Sequence, residues 1–259
     1  MSLWADLLGT LQDGEVLRVC IGLHWTAVVV DIEGRRQCGL ASTLSKGHDH
    51  HGEPDVPEAG HLEELPALAL AAFASSIQSS LVSVGIAAIN ALMPRQPNAW
   101  VDQNAEELIA SHGSGKRVAL VGHFPFVPQL RARVGELIVL EKHPKAGDIS
   151  ASAALDVIPT ADVVAITGMT LLNHTFEDIL ALCKSQAQVI VLGPSTPLSP
   201  VLFDYGVMWL CGSVVTDIDP VLRAVGQGAN FRQVHQAGVR LVCMSKQELN
   251  QVNAKTGFA

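Results

Sequence analysis

Aromatic side chains are scarce in this sequence: seven Phe, four Trp and one Tyr make up 5% of 259 residues. Packing must therefore rest on Ala, Val, Leu and Ile, and at 48% hydrophobic content there is enough of them for one large or two ordinary domains. Charge is also sparse, at 16%, with a net charge of −8 and no long run of Lys or Arg. That balance argues against nucleic acid or an anionic membrane surface as a main partner. Mean hydropathy is positive, +0.30, yet no uninterrupted run of 18 apolar residues exists. The most apolar stretch, Leu65 to Met93, is broken by Pro66 and by Ser75, Ser76, Gln78, Ser79 and Ser80. The N-terminus, MSLWADLLGT, has no basic segment of the kind that opens a signal peptide. A soluble, cytoplasmic chain is expected. The five cysteines, Cys20, Cys38, Cys183, Cys211 and Cys243, are odd in number and show no CxxC spacing. They argue against a disulfide framework or a thiolate zinc site, and read as small buried hydrophobes.

What is present divides into two patterns. Residues 2 to 12 read as a short helix, followed by apolar, β-branched runs at 15–22 and 26–32 and a third strand at 35–43. Glu33-Gly34 between the last two is a hairpin turn, so a β-meander is the economical reading. A His-, Gly- and Pro-rich loop at 45–61 comes next, then helical segments over 62–74 and 76–92, where Ile77, Leu81, Val84 and Ala88 recur at helical spacing. Pro94-Arg95-Gln96-Pro97 cannot continue a helix and sets the domain boundary, giving an α+β domain over 1–97 and a second domain over 98–259. The second domain alternates apolar strands (117–122, 137–142, 162–168, 188–193, 207–212 and 239–244) with helix-length segments such as 174–186. That alternation predicts an α/β fold, a Rossmann-like doubly wound parallel sheet covered on both faces.

Such sheets bind ligands beyond the carboxyl ends of their strands, and those positions are distinctive here. Gly122-His123-Phe124-Pro125-Phe126 follows the first strand and Glu141 ends the second. Thr167-Gly168-Met169-Thr170 and Asn173 follow the third, Gly193-Pro194-Ser195-Thr196-Pro197 the fourth, and Gly212-Ser213 the fifth. Small residues let a ligand approach the backbone, and hydroxyls supply directed hydrogen bonds. The strand–glycine–acid spacing resembles a dinucleotide fold, in which the acid holds a ribose diol. GHFPF is not GxGxxG, however, and its Phe residues would obstruct a pyrophosphate, so Glu141 points at most to an adenosine-type ligand. The plainer role for Glu141 is to cap its strand or pair with Lys142 or Lys145. Thr175, three residues before Asp178, reads as a helix cap. Ser195 has no base and orienting partner near it in sequence, so no nucleophile is assigned.

Histidine and acid crowd together in His48-Asp49-His50-His51 and Glu53, donors suited to a divalent transition metal. Neighbouring side chains in a loop rarely converge on one ion, and a solvated loop is the simpler reading of the cluster. His123, at a strand end, is the better placed functional histidine. The metal candidates are thus His48, His50, His51 and His123.

Taken together, GHFPF, the E-x-x-P-x-x-GD of Glu141 to Asp148, ADVVAITGMTLLNHT and GPSTPLSP resemble the heavy-metal chelation family, long catalogued as a domain of unknown function. In the first half, IGLHWTAV (21–28), GLASTL (39–44) and VGIAAINAL (84–92) extend the resemblance to nearly the whole chain. It implies an N-terminal domain similar to that of enolases, a Rossmann-like second domain, a cleft between them and a link to metal handling. Carried over by motif, the cleft residues are Gly122, His123, Phe124, Pro125, Glu141, Thr167, Gly168, Thr170, Asn173, Gly193, Pro194, Ser195 and Thr196, with Thr26, Thr43 and Asn90 from the small domain.

Three functions compete. The first is a small-ligand binding protein holding a transition-metal ion or metal chelate in the cleft, motivated by a polar rim of small residues without a recognisable catalytic pair. The second is an enzyme of small-molecule metabolism using an adenosine-containing cofactor, methyltransferase-like or nucleotide-dependent, with Glu141 on the ribose and His123 as acid or base. The third is a scaffold whose cleft serves as a homo-oligomer contact.

Overall fold

The computed structural model describes residues 2–45 and 52–256. Contacts divide the chain into two compact units: Met1–Arg95 with Pro194–Ser199 and Gly212–Leu241, and Gln96–Gly193 with Pro200–Cys211 and Val242–Ala259. The chain leaves the first unit inside the Pro94–Pro97 run, but two later segments return to it.

The first unit is built on a three-stranded antiparallel meander, β1 (Glu15–Ile21), β2 (Trp25–Ile32) and β3 (Arg35–Ser42). Glu33 and Gly34, with φ of 53° and 81°, close the β2–β3 hairpin in the left-handed conformation a tight two-residue turn requires. The Asp31 carboxylate locks it by accepting from Gly34 N at 2.6 Å. In the central strand β2 only Asp31 escapes full burial, so both faces of this small sheet are covered. On one face lies the helix Ser79–Leu92, whose side chains are buried over almost its whole length. On the other, Trp25, Ala27, Val29, Cys38 and Leu40 pack with Val221, Val225 and Val234, from the helices Ile218–Gly226 and Phe231–Gly238.

Two helical expectations shift, for one cause each. The segment expected at 62–74 breaks into a 3-10 turn at Leu62–Glu64 and a helix at Ala67–Ala72, because Pro66 holds Leu65 extended. The next helix starts at Ser79 rather than 76, the Ser76 hydroxyl accepting from Gln78 N at 3.1 Å in a local turn that competes with a helical start.

The second sheet has seven strands, adding β4 (Arg117–Val121), β5 (Glu136–Glu141), β6 (Ile149–Ser150), β7 (Val163–Thr167), β8 (Gln188–Leu192), β9 (Val207–Val215) and β10 (Val239–Ser245). Their order is β10-β9-β8-β7-β4-β5-β6. The ladders from β9 to β6 are all parallel. Val118–Leu120, Val163–Ile166 and Val189–Leu192 are buried without interruption, the mark of strands covered on both faces. On one face Leu108, Ile109, Val127 and Leu130 of the helices Ala105–Gly113 and Val127–Arg131 pack on Val118, Leu120, Val139, Ala165 and Leu192. The chain is therefore an α/β protein with a mostly parallel sheet and a smaller antiparallel sheet near its N-terminus.

One strand runs past its expected end. β9 does not stop at Gly212 but continues to Val215. The glycine is there for close approach, since a Cβ on it would stand 2.7 Å from the Thr196 carbonyl oxygen. Among the described residues no helix is long and apolar enough to cross a membrane.

Candidate functional site

The sheet order reverses at β4. From it the chain steps to β5 on one side, and later to β7 on the other. In open α/β sheets this switch point leaves a crevice at the carboxyl ends of the strands, and Gly122 and Thr167 flank it. Gly122 has φ +100°, and a Cβ there would lie 3.1 Å from Thr167 Cβ and Cγ2 and 3.5 Å from the Phe124 ring. Gly193, at φ +114°, stands beside Gly168 N and Thr167 Oγ1. The loops after β4, β7 and β8 thus form one continuous rim.

The rim's glycine amides are not free to receive a ligand. Gly122 N donates to Leu140 O, Gly168 N to Leu192 O and Gly193 N to Cys211 O, at 2.8–3.0 Å. Each adds one last bond to the sheet ladder. What remains for chemistry is side chains, above all His123.

His123 is held at both its backbone and its ring. Glu141, at the end of β5, accepts from His123 N at 2.9 Å through one carboxylate oxygen. Its other oxygen accepts from Lys142 N at 2.7 Å and His143 N at 3.3 Å. Glu141 therefore ties two loops together. The ring is fixed by Asp148, whose Oδ2 lies 2.8 Å from His123 Nδ1 and also accepts from Lys145 N at 3.0 Å. The Asp148 side chain is wholly shielded while that of His123 is 19% exposed. Burial pushes the Asp148 carboxyl up, but the Lys145 amide, the His123 ring and the Arg131 charge outweigh it, holding it below its ordinary value. An ionised carboxylate can only accept, so His123 Nδ1 is the donor, which leaves Nε2 as the ring nitrogen available to a ligand. Nε2 has no hydrogen-bond partner among the described residues, and Asp148 Oδ1 is buried without one.

Asp148 was not among the residues singled out from the sequence, although it closes the E-x-x-P-x-x-GD run. Its neighbour Gly147 adopts φ +86°, and Arg131 pins the segment by donating to Gly147 O at 2.8 Å and Leu137 O at 3.0 Å. An acid just past a left-handed glycine, in the loop beside a strand-end histidine, was the available signal.

The other candidates divide between the units. Phe124 and Phe126 stack with centroids 5.2 Å apart and rest on the core of the second unit, and Pro125 is exposed. Thr170 is buried and spends its hydroxyl on Thr167 O at 2.7 Å. Asn173 accepts from the Thr175 hydroxyl at 2.6 Å. Thr175 does occupy the N-cap position of Phe176–Leu182, but its side chain makes no cap bond, because Asn173 has claimed it. In the first unit, Thr26 and Thr43 share a 2.9 Å hydroxyl contact, and the Ser195 hydroxyl accepts from Ser42 N at 2.9 Å. Asn90 Nδ2 donates to Leu40 O at 2.8 Å and Ser195 O at 3.4 Å. Pro194 O accepts from the Ser213 hydroxyl at 2.9 Å, and Thr196 Oγ1 is buried without a partner.

Of the metal candidates, His48, His50 and His51 lie outside the described residues, and Glu53 is exposed. Among the described residues no group of three or more His, Cys, Asp or Glu could hold a metal ion. Of the two acids bonded to His123, Glu141 holds its backbone amide and Asp148 grips the ring.

Comparison with known proteins agrees with these motifs. A protein of Methanocaldococcus jannaschii, named only as an uncharacterized protein, is 28% identical over 219 residues, covering 82% of this chain and 83% of the relative. Two crystal structures of DUF364 family proteins of unknown function share the fold. That from Desulfitobacterium hafniense has a TM-score of 0.79 at 24% identity, and that from Pyrococcus horikoshii 0.80 at 22%. Each match covers 94% of this chain and 98% of the other. A family model, DUF4213, described as "Putative heavy-metal chelation", matches residues 5–93. A second with the same description, DUF364, matches residues 104–244. That match spans more than half of the sequence: the chain belongs to the DUF364 family.

Proposed function

We propose that this chain binds a small metal chelate at the carboxyl ends of β4, β5 and β7, with His123 Nε2 completing the coordination of a transition metal that an organic ligand already carries. The observation that carries this reading is the His123–Asp148 pair. A metal-binding imidazole usually gives its other ring N–H to a carboxylate, which fixes the tautomer and raises the basicity of the free nitrogen. Here the carboxylate is fully shielded and 2.8 Å from Nδ1. A bare divalent ion prefers four or more donors. The described residues gather no group of three, which favours a cargo whose remaining sites are filled before it arrives.

The adenosine reading rested on Glu141, whose carboxylate accepts three backbone amides and is ill placed to grip a ribose diol as well. We read the second unit as Rossmann-like because its strand order reverses at β4, and the first unit as enolase-N-terminal-like from the motif resemblance. Five free thiols suit a reducing, cytoplasmic compartment.

The test uses Co(II)–nitrilotriacetate as probe, with free Co(II) and free nitrilotriacetate beside it. The expected result is micromolar binding of the complex with the spectral change of imidazole ligation, absent in His123→Ala and weakened about 10–100-fold in Asp148→Asn. Failure of the wild type to bind this or a comparable Ni(II) or Cu(II) chelate, or binding unchanged in His123→Ala, would sink the proposal.

A further inference from the structure

The site described above uses none of the five cysteines, and two of them sit together. Cys211 lies in β9 and Cys243 in β10, neighbouring strands of the seven-stranded sheet. Where β9 ends and β10 begins, Thr216 N donates to Gly238 O at 2.8 Å, so these two strands run antiparallel. Five residues back from Thr216 and five on from Gly238 lead to Cys211 and Cys243, opposite one another. Both belong to one buried cluster, 6% and 1% exposed, and both are free. Directly opposed residues in antiparallel strands have Cα atoms about 4.5–5.5 Å apart, within the roughly 4.4–6.8 Å that a disulfide spans.

We propose that Cys211 and Cys243 form an oxidative modification site, a dithiol that low-molecular-weight disulfides convert into a cross-strand disulfide clasping β10 to β9. One cysteine thiolate attacks the small disulfide, breaks its S–S bond and releases one small thiol. The second cysteine then attacks the resulting mixed disulfide and releases the other. Two protein thiols are oxidised, one small disulfide is reduced to two thiols, and the two protein protons end on those thiols.

Burial makes this reaction slow. Contact with Cys243, and then burial, hold the Cys211 thiol well above the ordinary 9.0, so in the closed sheet Cys211 offers almost no thiolate. Attack requires the cover over Cys243 to lift. That cover is short: Val101 exchanges backbone bonds of 2.8 and 3.0 Å with Cys243, and Gln103 O accepts from its thiol at 3.1 Å. β10 stands at the edge of the sheet, where opening of a few residues costs far less than global unfolding.

The full chain, purified reduced, is incubated with oxidised glutathione, quenched by alkylation and mapped by mass spectrometry. The expected product has lost two hydrogen atoms, two protons with two electrons, and yields a cross-linked peptide pair containing Cys211 and Cys243, reversed by dithiothreitol. It forms more slowly than the glutathione adducts on the partly exposed Cys20 and Cys183. Cys211→Ser and Cys243→Ser should each abolish the cross-link and leave at most a mixed disulfide on the surviving partner. The mapping on the wild type stands even where a variant folds poorly. Free Cys211 and Cys243 after Cys20 and Cys183 are consumed, or a disulfide joining other cysteines, overturns the proposal.

Discussion

His123 owes its usefulness to two acids with different tasks. Glu141 fixes where its backbone lies, and Asp148 fixes which way its ring faces and which nitrogen carries the proton. Replacing Asp148 by Ala leaves His123 Nδ1 and Lys145 N without their acceptor, a loss of about 1–3 kcal/mol, readable as a lower urea midpoint at neutral pH. The pH dependence follows from the sign of the shift. A carboxyl held below its ordinary 3.8 stabilises the folded state fully above that value, and the contribution disappears as pH falls through the depressed folded value. The stability difference between wild type and Asp148→Asn should therefore shrink as pH falls below 4. A difference that grows in that range would contradict the assignment. At this scale the sequence was half legible. Strand-end position pointed to His123 and Glu141, whereas Asp148 depends on a loop path that strand periodicity does not encode. Glu141 was visible as an acid in the right place, but the three amides that its carboxylate accepts were not.

The helix Ser79–Leu92 shows how elements are pressed together here. A Cβ on Gly39 of β3 would fall 2.1 Å from Ala87 O, and one on Gly85 would fall 2.0 Å from Ala74 N. Backbone therefore meets backbone on both sides of one helix, which the scarcity of aromatics permits and the run VGIAAINAL supplies. Gly85→Ala sets two effects against each other. Intrinsic helix propensity would gain about 1 kcal/mol, but neither backbone can yield 1 Å or more without separating the packed elements, a strain of about 1–3 kcal/mol or beyond. The expected outcome is net destabilisation for both Gly85→Ala and Gly39→Ala. Chemical unfolding of both variants measures this; a stabilised Gly85→Ala would show that the helix is free to slide. Element types were readable from periodicity and their ends were not. Pro66 and the Ser76 turn cut the helices where apolar spacing alone ran on.

Across the whole chain, the alternation of strand and helix after residue 100 revealed a parallel sheet, because buried strands need apolar residues on both faces. The partner of the N-terminal meander was not readable. Amphipathic helices such as Ile218–Gly226 and Phe231–Gly238 would suit any apolar face, and only the packing of Val221, Val225 and Val234 against Trp25, Val29 and Leu40 reveals which one they cover. Residues 1–97 expressed alone would lack that cover. Each buried valine contributes about 1.5–3 kcal/mol, so losing three of them, together with the burial they provide, rivals the roughly 5–15 kcal/mol by which domains are stable. The fragment should bind a hydrophobic dye and show poor amide dispersion by NMR. A monomeric fragment with sharp, dispersed resonances would refute this.

The same return of 212–241 to the N-terminal unit matters on the ribosome. Translation proceeds at about 5–20 residues per second, so the meander emerges on the order of ten seconds before the helices that cover it. Through that interval its apolar face has no permanent companion. The nascent chain must be shielded by a chaperone or by transient partners, and slowed translation past residue 95 should lower the yield of native protein more than slowing near the C-terminus.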